Sequence, residues 1–68
     1  MGVVIMPFLE LTDIYQNPIS INMLEISLYK PHDIDETEIW LKNKEESILV
    51  SHSYEDVREW IRNYYKGK

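Results

Sequence analysis

Residues 47–66 read SILVSHSYEDVREWIRNYYK. Two periodicities meet in this stretch. Ile48 and Val50 alternate with Ser47, Leu49 and Ser51, the period of two that sends side chains to opposite faces of a strand. From Val57 onward the period changes. Val57, Trp60, Ile61 and Tyr64 stand at i, i+3, i+4 and i+7, the stripe of an amphipathic helix. Ser53 precedes this stripe, and Asp56 stands three residues after Ser53, the spacing of a capping box with Asp in place of Glu. Glu55, Asp56 and Glu59 lie early and Arg58, Arg62 and Lys66 late, which complements the helix dipole. Gly67 is placed to end the helix. The stretch predicts a strand feeding a capped C-terminal helix.

The same alternation runs back toward the N-terminus. Residues 37–42 predict a strand with Ile39 and Leu41 inward. A hairpin connection, Asn43-Lys44-Glu45-Glu46, follows it, and Asn43 suits a left-handed turn position. Residues 24–29 predict a strand with Leu24, Ile26 and Leu28 inward. Residues 19–22 predict a short one with Ile19 and Ile21 inward, and Asn22-Met23 a bend between the two. Residues 7–13 predict the first strand, with Leu9 and Leu11 inward. Residues 13–18 have turn composition. Residues 30–36 predict a loop, because Pro31 disfavours helix before it. The fold class expected is α+β: a small curved antiparallel sheet of four to five strands with one C-terminal amphipathic helix on its inner face. Leu9, Leu11, Ile19, Ile21, Leu24, Ile26, Leu28, Ile39, Leu41, Ile48, Val50, Val57, Trp60, Ile61 and Tyr64 form the expected core.

A chain of 68 residues holds one such domain, over residues 7–66, and excludes a Rossmann fold or TIM barrel on size. Residues 1–6 form a short apolar N-terminal extension, too short for a signal peptide or a membrane span. The hydrophobic fraction of 44% describes a globular chain. The absence of cysteine excludes a disulfide framework and a thiol nucleophile and fits a cytoplasmic location. A domain this small with no disulfide and no evident metal gains stability by oligomerisation, so a homo-oligomer is expected.

Twelve acidic against seven basic residues give a net charge of −5, which opposes direct nucleic-acid binding. Seven of the acidic residues fall before residue 42, where Lys30 is the only Lys or Arg. Glu10, Glu25, Asp33, Asp35, Glu36 and Glu38 make up the expected acidic surface, read first as a solvated, solubilising face. Arg58, Arg62 and Lys66 recur every four residues, but Glu55 and Glu59 are placed to pair with them. The segment His32-Asp33-Ile34-Asp35-Glu36 lacks the glycine and terminal glutamate of a calcium loop, and no metal or cofactor is expected. Ser51-His52-Ser53 falls short of a catalytic triad, since neighbouring strand residues face opposite ways. No catalytic residues are expected, and the protein is expected not to be an enzyme.

Strict alternation places Phe8, Tyr29, Trp40 and Leu49 on the sheet face away from the helix. Exposed aromatic residues on a small domain point to a protein interface, and these four are the expected partner-binding residues.

The order of motifs resembles the small flagellar and swarming motility family, the FlbD-like proteins. The residues that carry the resemblance are Leu9-Glu10-Leu11-Thr12, Ile19-Ser20-Ile21-Asn22, Thr37-Glu38-Ile39-Trp40-Leu41 with Asn43 at the turn, and Val50 to Val57. It spans residues 8–65, with Lys44 where the family has its turn glycine. The resemblance implies a motility-linked accessory role and supplies no catalytic residue. The function expected is a non-enzymatic interaction protein that docks on a protein partner or on itself through the aromatic face. The alternative is an acidic inhibitor of the mobile-element type, whose carboxylates occupy the nucleic-acid groove of a basic partner.

Overall fold

Two non-glycine residues, Gln16 (φ 70°) and Asn43 (φ 62°), adopt left-handed backbone conformations, and each lies in a chain reversal. Asn43 does what its residue type allows. At the other reversal the Asp13 carboxylate organises the turn, accepting from Tyr15 N and Asn17 N at 2.9 Å each. The computed structural model describes residues 7–67. The residue 1–6 extension lies outside them.

In chain order the elements are β1 (Phe8–Thr12), β2 (Pro18–Asn22), a 3-10 turn (Met23–Glu25), β3 (Ile26–Asp33), β4 (Glu36–Leu41), β5 (Ser47–Val50) and α1 (Tyr54–Lys66). The class is α+β, with antiparallel strands and the helix last. The strands divide between two sheets, β1-β2 and β3-β4-β5, where the alternation predicts one curved sheet. Among the described residues the sheets meet at a single bridge, Asp13 to Val50, beside β1. After Ile14 N, which still donates to the Leu49 carbonyl, the chain turns toward β2, and the pairing with β5 goes no further.

Three expectations about β3 and the segments flanking it are corrected. Residues 24 and 25 belong to the 3-10 turn, because the Asn22 side chain accepts from Leu24 N at 2.9 Å and tightens the chain there. Met23 is buried in consequence and Leu24 is 47% exposed. The register of β3 against β4 shifts between Ile26 and Leu28. A bulge of this kind offsets the alternation by one residue. Leu28 is therefore 49% exposed, and Tyr29 packs against the core. The expected loop 30–36 is instead the end of β3, a tight turn at Ile34-Asp35, and the start of β4. β3 is an edge strand, which is why it tolerates Pro31.

The buried core is Leu11, Ile21, Met23, Ile39, Val50, Val57 and Ile61. Ile39, Val50 and Val57 are fully enclosed, one each from β4, β5 and α1. Leu9, Ile19, Ile26, Leu41, Ile48 and Tyr64 pack around them. Trp60, expected in the core, is 37% exposed at the margin of the helix. Ser53 caps α1, its side chain accepting from Asp56 N at 3.2 Å. Gly67 closes the helix in a right-handed conformation, its N–H donating to the Asn63 carbonyl at 3.0 Å. Among the described residues no helix is long and apolar enough to cross a membrane.

Candidate functional site

The period of two in β4 separates its side chains cleanly. Thr37 and Ile39 are buried, so Glu36, Glu38 and Trp40 fall on the opposite face. Register carries that face onto both neighbouring strands. Trp40 lies between Leu28 on β3 and Ser47 on β5, and Glu38 lies between Lys30 and Leu49. The outer face of the three-stranded sheet thus presents Leu28, Trp40 and Leu49 around a polar pair. Trp40 and Leu49 are half-buried.

The polar groups on this face satisfy one another. Lys30 Nζ lies 3.6 Å from Glu38 Oε1, and Ser47 Oγ donates to Glu38 Oε2 at 2.7 Å. The Ser47 hydrogen bond holds the Glu38 carboxyl below its ordinary value, against the opposing effect of burial, and the charges of Lys30 and His32 assist. Beyond this pair, His32 Nε2 approaches Glu36 Oε1 at 3.9 Å. At the other end Ser27 Oγ donates to the Trp40 carbonyl at 3.2 Å. A carboxylate that already has partners costs less to desolvate than a free one, so Glu38 opposes burial of the adjacent apolar side chains less than an unpaired charge would.

The four residues expected to form one aromatic face do not stay together. Trp40 and Leu49 share the outer face. Phe8 is exposed but belongs to the β1-β2 sheet, opposite Asn22. Tyr29 faces the other way, toward the helix, with its ring centroid 5.6 Å from that of Tyr54. The bulge in β3 is the cause for Tyr29, and the same bulge turns Leu28 outward in its place. Alternation alone misses Leu28. The signal that points to it is a pair of adjacent bulky residues, Leu28 and Tyr29, competing for one inward position on an edge strand.

The acidic residues are dispersed over several elements. Glu10 is on β1 and accepts from Ser20 Oγ at 2.7 Å. Glu25 ends the 3-10 turn. Asp33, Asp35 and Glu36 sit around the β3-β4 turn, where Asp33 Oδ1 accepts from Ile34 N at 2.8 Å. Glu38 is on the outer face with Lys30. Among the described residues no cluster of three or more His, Asp or Glu is arranged to hold a metal. Arg58, Arg62 and Lys66 line a shallow groove along the helix together with Glu55, Glu59 and Asn63, so the surface there is of mixed charge.

Ser51 and His52 have structural partners. Ser51 Oγ donates to the Asp13 carbonyl at 3.1 Å. His52 Nε2 accepts from Thr12 N at 2.9 Å, and the His52 carbonyl accepts from the buried Thr37 hydroxyl at 2.7 Å. The imidazole also meets Trp60 edge to face, with centroids 5.3 Å apart. The two His52 hydrogen bonds join residues 40 and 15 positions apart in the chain, which no local pattern encodes.

No protein-family model, curated protein or solved structure matches the chain.

Proposed function

We infer that this protein works by docking, without catalysis, through the outer face of β3-β4-β5. One observation carries the reading: Trp40, Leu28 and Leu49 surround a carboxylate whose charge is already met by Lys30 and Ser47. Such a face supplies the aromatic anchor and the apolar area of a binding hot spot, while Glu38 at its centre already has a partner for each carboxylate oxygen. The occupant is a protein surface of matching shape, either a second copy of the chain or a different protein. The motility-linked accessory role comes from the family resemblance, and a cytoplasmic location from the absence of cysteine.

The second reading, an acidic inhibitor, has one observation in its favour. Asp33, Asp35, Glu36 and Glu38 all belong to the β3-β4 hairpin. Carboxylates grouped there suit the basic groove of a nucleic-acid-binding protein.

The test is a nuclease-treated pull-down from the source organism with wild type and Trp40→Ala side by side, together with molar-mass measurement of both. Binding or self-association that survives high salt and is lost in Trp40→Ala supports the docking face. Binding that is unaffected by Trp40→Ala and displaced by moderate salt supports the acidic inhibitor and overturns the first reading.

A further inference from the structure

Beside the apolar core they share, the two sheets meet through a short set of polar contacts. It consists of the Asp13 to Val50 bridge, Ser51 N donating to the Thr12 carbonyl at 2.8 Å, Ile14 N donating to the Leu49 carbonyl at 3.1 Å, Ser51 Oγ on the Asp13 carbonyl, and Thr12 N on His52 Nε2 at 2.9 Å. Among these contacts His52 supplies the one ionisable side chain that bonds across the junction. Its Nε2 is an acceptor, so the ring is neutral with its proton on Nδ1. Residue 52 also reaches two further elements. Its carbonyl accepts a hydrogen bond from the Thr37 hydroxyl on β4, and its ring lies against Trp60 on α1.

We propose that His52 is an acid-sensitive latch that holds the β1-β2 hairpin against β5 and α1. A second proton on the imidazole turns Nε2 into a donor and sets it against the Thr12 N–H, itself a donor. The two cannot bond, so either the ring swings away from Thr12 and Trp60 or the β1 end lifts from β5. Imidazole is the ordinary side chain that gains a second proton in acid, so acid is the trigger.

The surrounding charges leave the effect to His52. On β1's side the Asp13 carboxylate is turned into its own loop, bonded to Tyr15 N and Asn17 N. On β4, Glu36 and Glu38 lie on the face opposite Thr37 and approach His32 and Lys30. β5 carries no charged residue. On α1, Asp56 stands one turn before Trp60 and is exposed. None of the ion pairs among the described residues includes His52.

The experiment is amide hydrogen exchange on the full chain between pH 7.5 and pH 5, corrected for intrinsic rates, with His52 ring protonation followed by NMR in the same samples. The expected result is a loss of protection at Thr12, Ile14 and Ser51, by roughly tenfold or more, that tracks His52 protonation and is accompanied by a shift of the Trp60 indole signal. The core amides of Ile39 and Val57 should keep theirs. In His52→Gln the amide oxygen can accept from Thr12 without titrating, and protection should no longer depend on pH over this range. His32→Gln should behave as wild type. The proposal is overturned if Thr12 stays protected while the His52 ring takes its proton, if the ring stays neutral down to pH 5, or if His32→Gln abolishes the response. All three outcomes are read with the wild-type His52 side chain in place, so they stand even if His52→Gln folds poorly.

Discussion

Leu28 and Tyr29 exchange roles at the β3 bulge, and a pair of substitutions measures this directly. Leu28 is 49% exposed, so roughly half of a leucine's burial energy is at stake. Complete burial of such a side chain is worth about 1.5–3 kcal/mol, which puts Leu28→Ala at about 1 kcal/mol. Tyr29 is half-buried, packs on the core and meets the Tyr54 ring at 5.6 Å. Truncating an aromatic side chain in a core costs about 3–5 kcal/mol. Partial exposure and loss of the ring contact together place Tyr29→Ala near 3 kcal/mol. For a domain of this size 1 kcal/mol moves the midpoint by about 4–8 °C, so the two variants should melt at least about 8 °C apart. The assay is urea denaturation with a thermal melt, repeated at two protein concentrations to remove any contribution from assembly. Strict alternation from Leu24 through Leu28 predicts the reverse order. If Leu28→Ala costs as much as Tyr29→Ala, the bulge is misplaced and the outer face loses Leu28.

Ile61→Glu puts a carboxylate at a position 7% exposed in the core cluster. A chain of this length has about 3–10 kcal/mol of total stability, and the variant should show no cooperative unfolding transition by circular dichroism. Ser53→Ala removes the side-chain oxygen that accepts from Asp56 N and should lower unfolding free energy by about 1 kcal/mol in urea, with Ser53→Asp restoring most of it. The Glu38 carboxyl is held below its ordinary 4.5, first by the Ser47 hydroxyl. Its folded value is the lower one, so the stability it contributes is complete above 4.5 and is lost as pH falls through the folded value. Ser47→Ala removes the largest cause. The stability gap between this variant and wild type should therefore be widest near neutral pH and shrink below 4.5, and a gap of constant size across that range would contradict the assignment.

Much of the fold is open to sequence reasoning because it rests on short-range periodicity. The helix stripe of Val57, Ile61 and Tyr64, the Ser53 cap, the left-handed Asn43 and the alternation of β4 all involve residues a few positions apart, where side-chain geometry is set by the backbone itself. The same reasoning places Trp40 and Leu49 on the outer face, since β4 and β5 pair without interruption. Pro31 misleads it. A proline reads as a loop signal unless one knows that its strand lies at an edge.

The amino-acid order by itself determined the class of the fold, the position and capping of α1, and the two outer-face residues on the regular strands. Tertiary structure alone decided the rest. The division into two sheets depends on the chain turning from β5 toward β2 just after Asp13, and the exchange of Leu28 for Tyr29 depends on a mismatch between two strands. The latch depends on Thr12 and His52, forty positions apart in the chain. Such contacts are selected by what the assembled core leaves within reach, and a local pattern holds no record of them.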